Sequence, residues 1–179
     1  PDEIHFPYYF TQSQSNTSQR KIYFFGSRFL GWDFLHDDSA IKTINSILRK
    51  IEEVHNTALL IYKPHPLESN ESEKLDLGKF IVDASPNSSE IEYTKYFSDI
   101  EAVYSIGSTS SKTAFNFGLK SYLTYKLFKF DKSIEEKFNS LFLNLPENMF
   151  IDNYDDIKTL QSLNVKNFMD INNFSEKLI

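Results

Sequence analysis

The chain has 179 residues, enough for about one domain. Hydrophobic residues make up 40%, charged residues 25% and aromatics 16%, which excludes disordered, collagen-like and low-complexity chains. The formal charge is 19 − 25 = −6, which argues against a general nucleic-acid binder. The longest apolar run, around Ala58–Tyr62, is far short of the ~20 residues of a membrane helix. There are no cysteines, which removes disulfides, thiolate metal sites and cysteine nucleophiles and fits a cytoplasmic protein.

Residues 1–20 read as an N-terminal segment or linker: an aromatic patch at Phe6, Pro7, Tyr8, Tyr9 and Phe10, then a polar run from Thr11 to Gln19. Residues 21–179 read as one domain. Lys21–Ser27 is a short aromatic-rich run ending in Gly and Ser, the pattern of a buried strand. Asp37, Asp38 and Ser39 precede Ile41, Ile44, Ile47, Leu48 and Ile51, whose spacing marks one face of a helix. Thr57–Lys63, stopped by Pro64, and Lys79–Ala84 predict the second and third strands. Ser88 and Ser89 precede Ile91, Tyr93 and Phe97, which predict a short helix. Asp99–Ile106 predicts the fourth strand, Thr109–Phe117 a helix with Gly118 as its left-handed cap, and Leu119–Phe128 the fifth strand. A helix over Ser133–Phe142, a short strand over Met149–Asp152 and two helices beyond Asp155 complete the reading. Near-continuous apolar strands alternating with helices predict an α/β fold, a Rossmann-like parallel sheet with helices on both faces.

Ligands of such sheets bind beyond the carboxyl ends of the strands, so the loops there carry the candidates. In Lys63-Pro64-His65-Pro66 the flanking prolines restrict the backbone, and a histidine held there can donate a hydrogen bond or a proton to an anion. Lys63 adds a positive charge. The same residues also serve as a simple strand terminator, so both readings stand. Gly107-Ser108-Thr109-Ser110-Ser111 joins hydroxyls to a helix N-terminus, an arrangement suited to phosphate and equally to ordinary capping. It is no P-loop, which would need glycines at Ile106 and Ser111. Gly26-Ser27-Arg28, reaching Gly31-Trp32-Asp33, offers a tight turn and a carboxylate. Ser85–Glu90 is a ribose-or-base loop or a plain turn into a helix. The four histidines, His5, His36, His55 and His65, are scattered rather than paired, so no metal is expected, and the G-x-S-x-G of a serine hydrolase is absent.

The histidine-proline pair ending one strand and the serine-rich turn ending a later one resemble motifs of bacterial sialyltransferases of the GT-B fold. The likeness is to the lipooligosaccharide sialyltransferases of glycosyltransferase family 52 and their polysialyltransferase relatives, over roughly Lys21 to Phe128. That resemblance implies one half of a GT-B fold, the donor-binding domain, with no cofactor and no metal. It implies inverting transfer of sialic acid from CMP-sialic acid to a glycan acceptor. His65 would be the motif histidine that contacts the donor phosphate and serves as general acid, with Ser108, Thr109 and Ser110 binding the same phosphate beside Lys63. Gly26, Ser27 and Glu90 would face the nucleotide. The acidic motif that supplies the base in some members is replaced here by GSRFLGWDF, which leaves Asp33 as its substitute.

A complete GT-B enzyme has two such domains, so this chain is expected to be part of a longer enzyme of lipooligosaccharide or capsule synthesis. The expected location is cytoplasmic, at the inner face of the membrane through a further region, and a homodimer is a further expectation. Three alternatives remain open on the residues. CDP-glycerol-type polyol phosphate transferases share the histidine-proline and Ser-Ser elements but carry an Asp where this chain has Ile106-Gly107. Other GT-B transferases use UDP-sugars. A non-catalytic α/β binding module would use His65 structurally.

Overall fold

The computed structural model of the chain describes residues 19–28, 37–68 and 73–162. Five strands form one parallel sheet: β1 (Lys21–Phe25), β2 (Leu59–Lys63), β3 (Ile81–Val82), β4 (Ile100–Ser105) and β5 (Ser121–Leu123), in the order β3-β2-β1-β4-β5. The helices are α1 (Asp37–Val54), α2 (Ser89–Tyr96), α3 (Thr109–Asn116), α4 (Lys132–Leu141) and α5 (Tyr154–Ser162).

Alternate side chains of β1 point to opposite faces of the sheet, and both faces are covered. Ile22 and Phe24 pack with Ile44, Ile47, Leu48 and Ile51 of α1. Tyr23 and Phe25 pack with Tyr93 of α2, with Ala114 of α3 and with Phe117 at its end. This double burial explains why KIYFF is a continuous apolar run rather than an alternating one. Each fully buried side chain of this kind contributes about 1.5–3 kcal/mol. Gly118, at φ 82°, ends α3 in the left-handed conformation anticipated for it.

The differences from the sequence reading are local. Lys79–Ala84 contributes only the two-residue β3, at the sheet edge, where Ile81 and Val82 stay exposed and Phe80 turns into the core. Leu119–Phe128 is a strand only over β5. At Thr124 the chain turns back on Ser105, whose carbonyl accepts both the Thr124 N–H and its hydroxyl. It then enters a 3-10 turn over Tyr125–Leu127. Tyr125, Phe128, Phe138 and Phe142 share the core there, so the apolar run continues although the strand has ended. Met149–Asp152 makes a single parallel bridge, Phe150 to Leu123, after a 3-10 turn. In α2 the inward residues are Glu92 and Tyr93, and Ile91 is half exposed. Glu92 tolerates burial because the Tyr23 hydroxyl and the Asn87 amide donate to its two oxygens, at 3.0 and 2.9 Å. α5 is one helix packed near α1. The aromatic patch, Asp33 and the second tail helix lie outside the described residues. Among the described residues no helix is long and apolar enough to cross a membrane.

Candidate functional site

With this strand order the connections leave β1 and β4 in opposite directions, which opens a crevice at the carboxyl ends of that adjacent pair. A cleft lies there. Its walls are Phe25 and Gly26 after β1, the Lys63–Pro66 turn after β2, Ser85–Ser89 after β3, and Ser108 and Ser110 after β4. Loops far apart in sequence thus meet because all the strands are parallel and end on one edge. The cleft holds about 130 Å³, less than the ~300–1,000 Å³ of complete ligand pockets. It matches a phosphate-sized part of a ligand.

Two helix N-termini flank the cleft. In α3 the Ser108 hydroxyl accepts the Ser110 N–H at 3.1 Å and, as a hydroxyl, retains a proton to donate. In α2 the cap residue is Ser88, whose side chain makes no capping bond. The two helices touch, with the Tyr93 hydroxyl donating to the Ser110 carbonyl at 3.0 Å. Paired positive dipole ends of this kind favour an anion between them.

The serine turn is built from below. Ser105 and Ser111 are fully buried, their hydroxyls 2.6 Å apart, and Ser105 Oγ accepts the Ser108 N–H at 3.1 Å. Ser121 Oγ donates to the Ser111 carbonyl at 2.8 Å. Gly107 is needed because a Cβ there would meet the Phe138 ring. The run of hydroxyls therefore divides: Ser108 and Ser110 face the cleft, Ser111 is structural, and Thr109 is exposed and does not line it.

His65 stands on the opposite wall, half-buried. The Leu67 N–H donates to its ring Nδ1 at 3.0 Å, so in the neutral ring the proton sits on Nε2. Burial, then the nearby Arg28 charge, push its pKa below the ordinary histidine value. The His65 N–H donates to Glu68 Oε2 at 2.8 Å, and the Tyr62 hydroxyl donates to the other Glu68 oxygen. Burial raises the Glu68 pKa against the opposing effect of those two hydrogen bonds.

Lys63 is buried on the cleft wall with its ammonium committed within the chain. It pairs with Asp83 at 3.0 Å and donates to the Ser85 hydroxyl and carbonyl at 3.0 and 3.2 Å. Three acceptors match the three ammonium protons, so Lys63 ties β2 to the loop after β3. Burial acts to raise the Asp83 pKa, but hydrogen bonds from Ser85 and Lys63 outweigh it and hold the carboxyl below its ordinary value. Glu90 is exposed near α2's start. Burial there is outweighed by hydrogen bonds from its own backbone and from Ser88, Ser89 and Thr113, which lower its pKa. Gly26 lies against Glu68, Tyr62 and His65, and Ser27 is buried beside it.

The structure thus gathers Gly26, Lys63, His65, Ser108 and Ser110 at one cleft and leaves Thr109 and Glu90 off its wall. Asp33 lies outside the described residues. Sequence reasoning missed Glu68, Asp83 and Ser105. The first carries one weak signal, an acid three residues after a strand-ending histidine, the spacing of a closed turn. Among the described residues no group of three or more His, Asp or Glu gathers as a metal site.

No protein-family model and no curated protein sequence matches this chain. Among solved structures it is similar to the beta Kdo 2,7 transferase KpsC of Thermosulfurimonas dismutans, at 21% identity and a TM-score of 0.37. The match covers 62% of this chain and 34% of that one, so this chain spans about a third of that protein's length. The fold assignment rests on the sheet order and not on so loose a likeness.

Proposed function

We propose that this domain binds the phosphate of a nucleotide-activated sugar and forms the donor side of a glycosyltransferase, with CMP-sialic acid as the donor. One observation carries the reading: the N-termini of α2 and α3 converge with the His65 turn on one cleft at the crossover of the sheet. The KpsC likeness agrees in name but bears none of the weight. The choice of sialic acid rests on the resemblance of the histidine-proline and serine elements to those of GT-B sialyltransferases.

In the proposed reaction the bond between the anomeric carbon and the phosphate oxygen breaks, and its electron pair leaves with CMP. The acceptor hydroxyl oxygen bonds to the opposite face of that carbon, inverting it, and its proton passes to a carboxylate base, for which Asp33 is the candidate. Negative charge grows on the departing phosphate. Donors and dipoles already in place are the most effective way to stabilise it: the Ser108 and Ser110 hydroxyls and the Nε2–H of His65 as donors, and the helix N-termini through their dipoles. With Nδ1 accepting from Leu67 and a lowered pKa, His65 serves in this scheme as a hydrogen-bond donor rather than as the general acid suggested by the resemblance.

Calorimetric titration with CMP, CDP, UMP and UDP tests the reading. The expected result is preference for cytidine nucleotides and a loss of about tenfold in His65→Ala, the worth of one hydrogen bond to a charged group. Preference for uridine nucleotides would transfer the reading to another donor class. No binding by a folded chain would overturn it.

A further inference from the structure

The turn after β2 is closed by His65 itself. Its backbone carbonyl accepts the Glu68 N–H at 2.8 Å, its own N–H donates to Glu68 Oε2 at 2.8 Å, and its ring accepts the Leu67 N–H at 3.0 Å. Glu68 is held in turn by the Tyr62 hydroxyl. The carboxylate rests over the end of β1, where a Cβ on Gly26 would overlap Glu68 Oε2 and sit 2.9 Å from the Tyr62 hydroxyl and 3.1 Å from His65 N. Glu68 therefore ties β2 to its own turn through one carboxylate, with both oxygens engaged, and packs against the end of β1 at Gly26. A surface glutamate that merely completed a turn would need neither the buried tyrosine nor the glycine beneath it.

From this geometry we infer that Glu68 is a positioning residue for His65, fixing the turn so that the imidazole keeps Nδ1 on the Leu67 N–H and presents Nε2–H to an anion in the cleft. The anion-binding part of this inference rests on the function proposed above, and the clamp itself does not. The turn backbone chooses the tautomer, Glu68 fixes the turn, and Gly26 leaves room for Glu68. No part of the arrangement needs a carboxylate touching the ligand, which would repel a phosphate.

Long-range proton–nitrogen spectra of the uniformly labelled chain read the His65 ring directly. In the wild type the Nε2–H tautomer is expected near pH 7.5. In Glu68→Ala the ring is expected to populate both tautomers. An unchanged tautomer in a folded Glu68→Ala chain would overturn the inference. A wild-type measurement covers the case in which that variant fails to fold. The His65 amide proton should shift with pH as the Glu68 carboxyl titrates, above the ordinary carboxylate range, and a flat trace would equally overturn the clamp. CMP titration of Glu68→Ala, His65→Ala and the double variant separates the two claims. Positioning predicts losses of about tenfold for each single variant and little further loss in the double, whereas additive losses would refute it. A wild type that binds no CMP while its tautomer still depends on Glu68 would end the donor-site reading and leave the clamp standing.

Discussion

The hydroxyls of Ser105 and Ser111 lie 2.6 Å apart with both residues fully buried, one at the end of β4 and the other in the first turn of α3. This pair fixes the direction in which the serine turn leaves the sheet. Ser105 Oγ also accepts the Ser108 N–H, so Ser105→Ala removes the acceptor of a backbone donor and the near partner of the Ser111 hydroxyl. The expected cost is about 1–3 kcal/mol of folding stability, the penalty for unsatisfied buried groups, measured by urea unfolding. Thr109→Ala, exposed and off the cleft, should change stability by less than about 0.5 kcal/mol. It should leave nucleotide affinity unaltered, and a loss of affinity there would mean that the wrong serine-turn hydroxyls have been assigned to the cleft.

Gly26 is a close-approach glycine. Any side chain would enter the space of Glu68 Oε2, the Tyr62 hydroxyl and His65 N. Gly26→Ala is therefore expected to cost about 1–3 kcal/mol through overpacking, read as a lowered melting temperature. The same substitution should disturb the His65 tautomer, because the displaced group is the carboxylate that holds its turn. Gly107→Ala meets the Phe138 ring instead. It should destabilise the chain without altering the His65 ring signals.

The fold was legible because β1, β2 and β4 are buried on both faces and carry continuous apolar runs, while Gly118 marks a helix end by backbone conformation alone. The edges were less legible. β3 has no second neighbour to bury it, and the residues after β5 keep an apolar pattern because they enter the core as a 3-10 turn. At the site, the prolines around His65 and the hydroxyls after β4 signalled themselves through local chemistry. What hid Asp83 was distance, since its partner Lys63 lies on β2 and only the assembled sheet brings them together. Glu68 bonds to Tyr62 and His65 nearby in sequence and was hidden because its packing against Gly26 appears only in the fold. Ser105 looked like one more residue of an apolar strand, and its function depends on two groups beyond the strand's end.

At the opposite edge of the sheet, His55 is buried with Nδ1 paired to Glu101 at 3.0 Å and Nε2 to the Tyr104 hydroxyl at 2.9 Å. Burial lowers its pKa despite the opposing pull of Glu101. A lowered folded-state pKa means that the unfolded chain binds the proton more readily. The stability from neutral His55 is thus fully present above the unfolded value of roughly 6.5 and is lost as pH falls below it. Urea unfolding at pH 7.5 and 5.5 should show a drop in stability that is reduced in His55→Phe. An equal drop in the variant would assign the acid sensitivity to other groups.

Lys63 offers the sharpest contrast between a ligand contact and a scaffold. If its ammonium serves Asp83 and Ser85, Lys63→Met leaves Asp83 without its cation and should cost about 3 kcal/mol, near the lower end of values for a broken buried pair because Asp83 is partly exposed. Adding Asp83→Asn removes the orphaned charge. The double variant should then regain most of the stability and, with the Ser85 loop back in place, bind CMP within about threefold of the wild type. A lysine that contacted the phosphate directly would behave differently: stability would recover in the double variant while affinity stayed low. Its salt dependence would also weaken, since one cation fewer would meet the anion. Unfolding and CMP titration on the same three proteins therefore distinguish a strut from a ligand at this position, and the bonding to Asp83 and Ser85 predicts the strut.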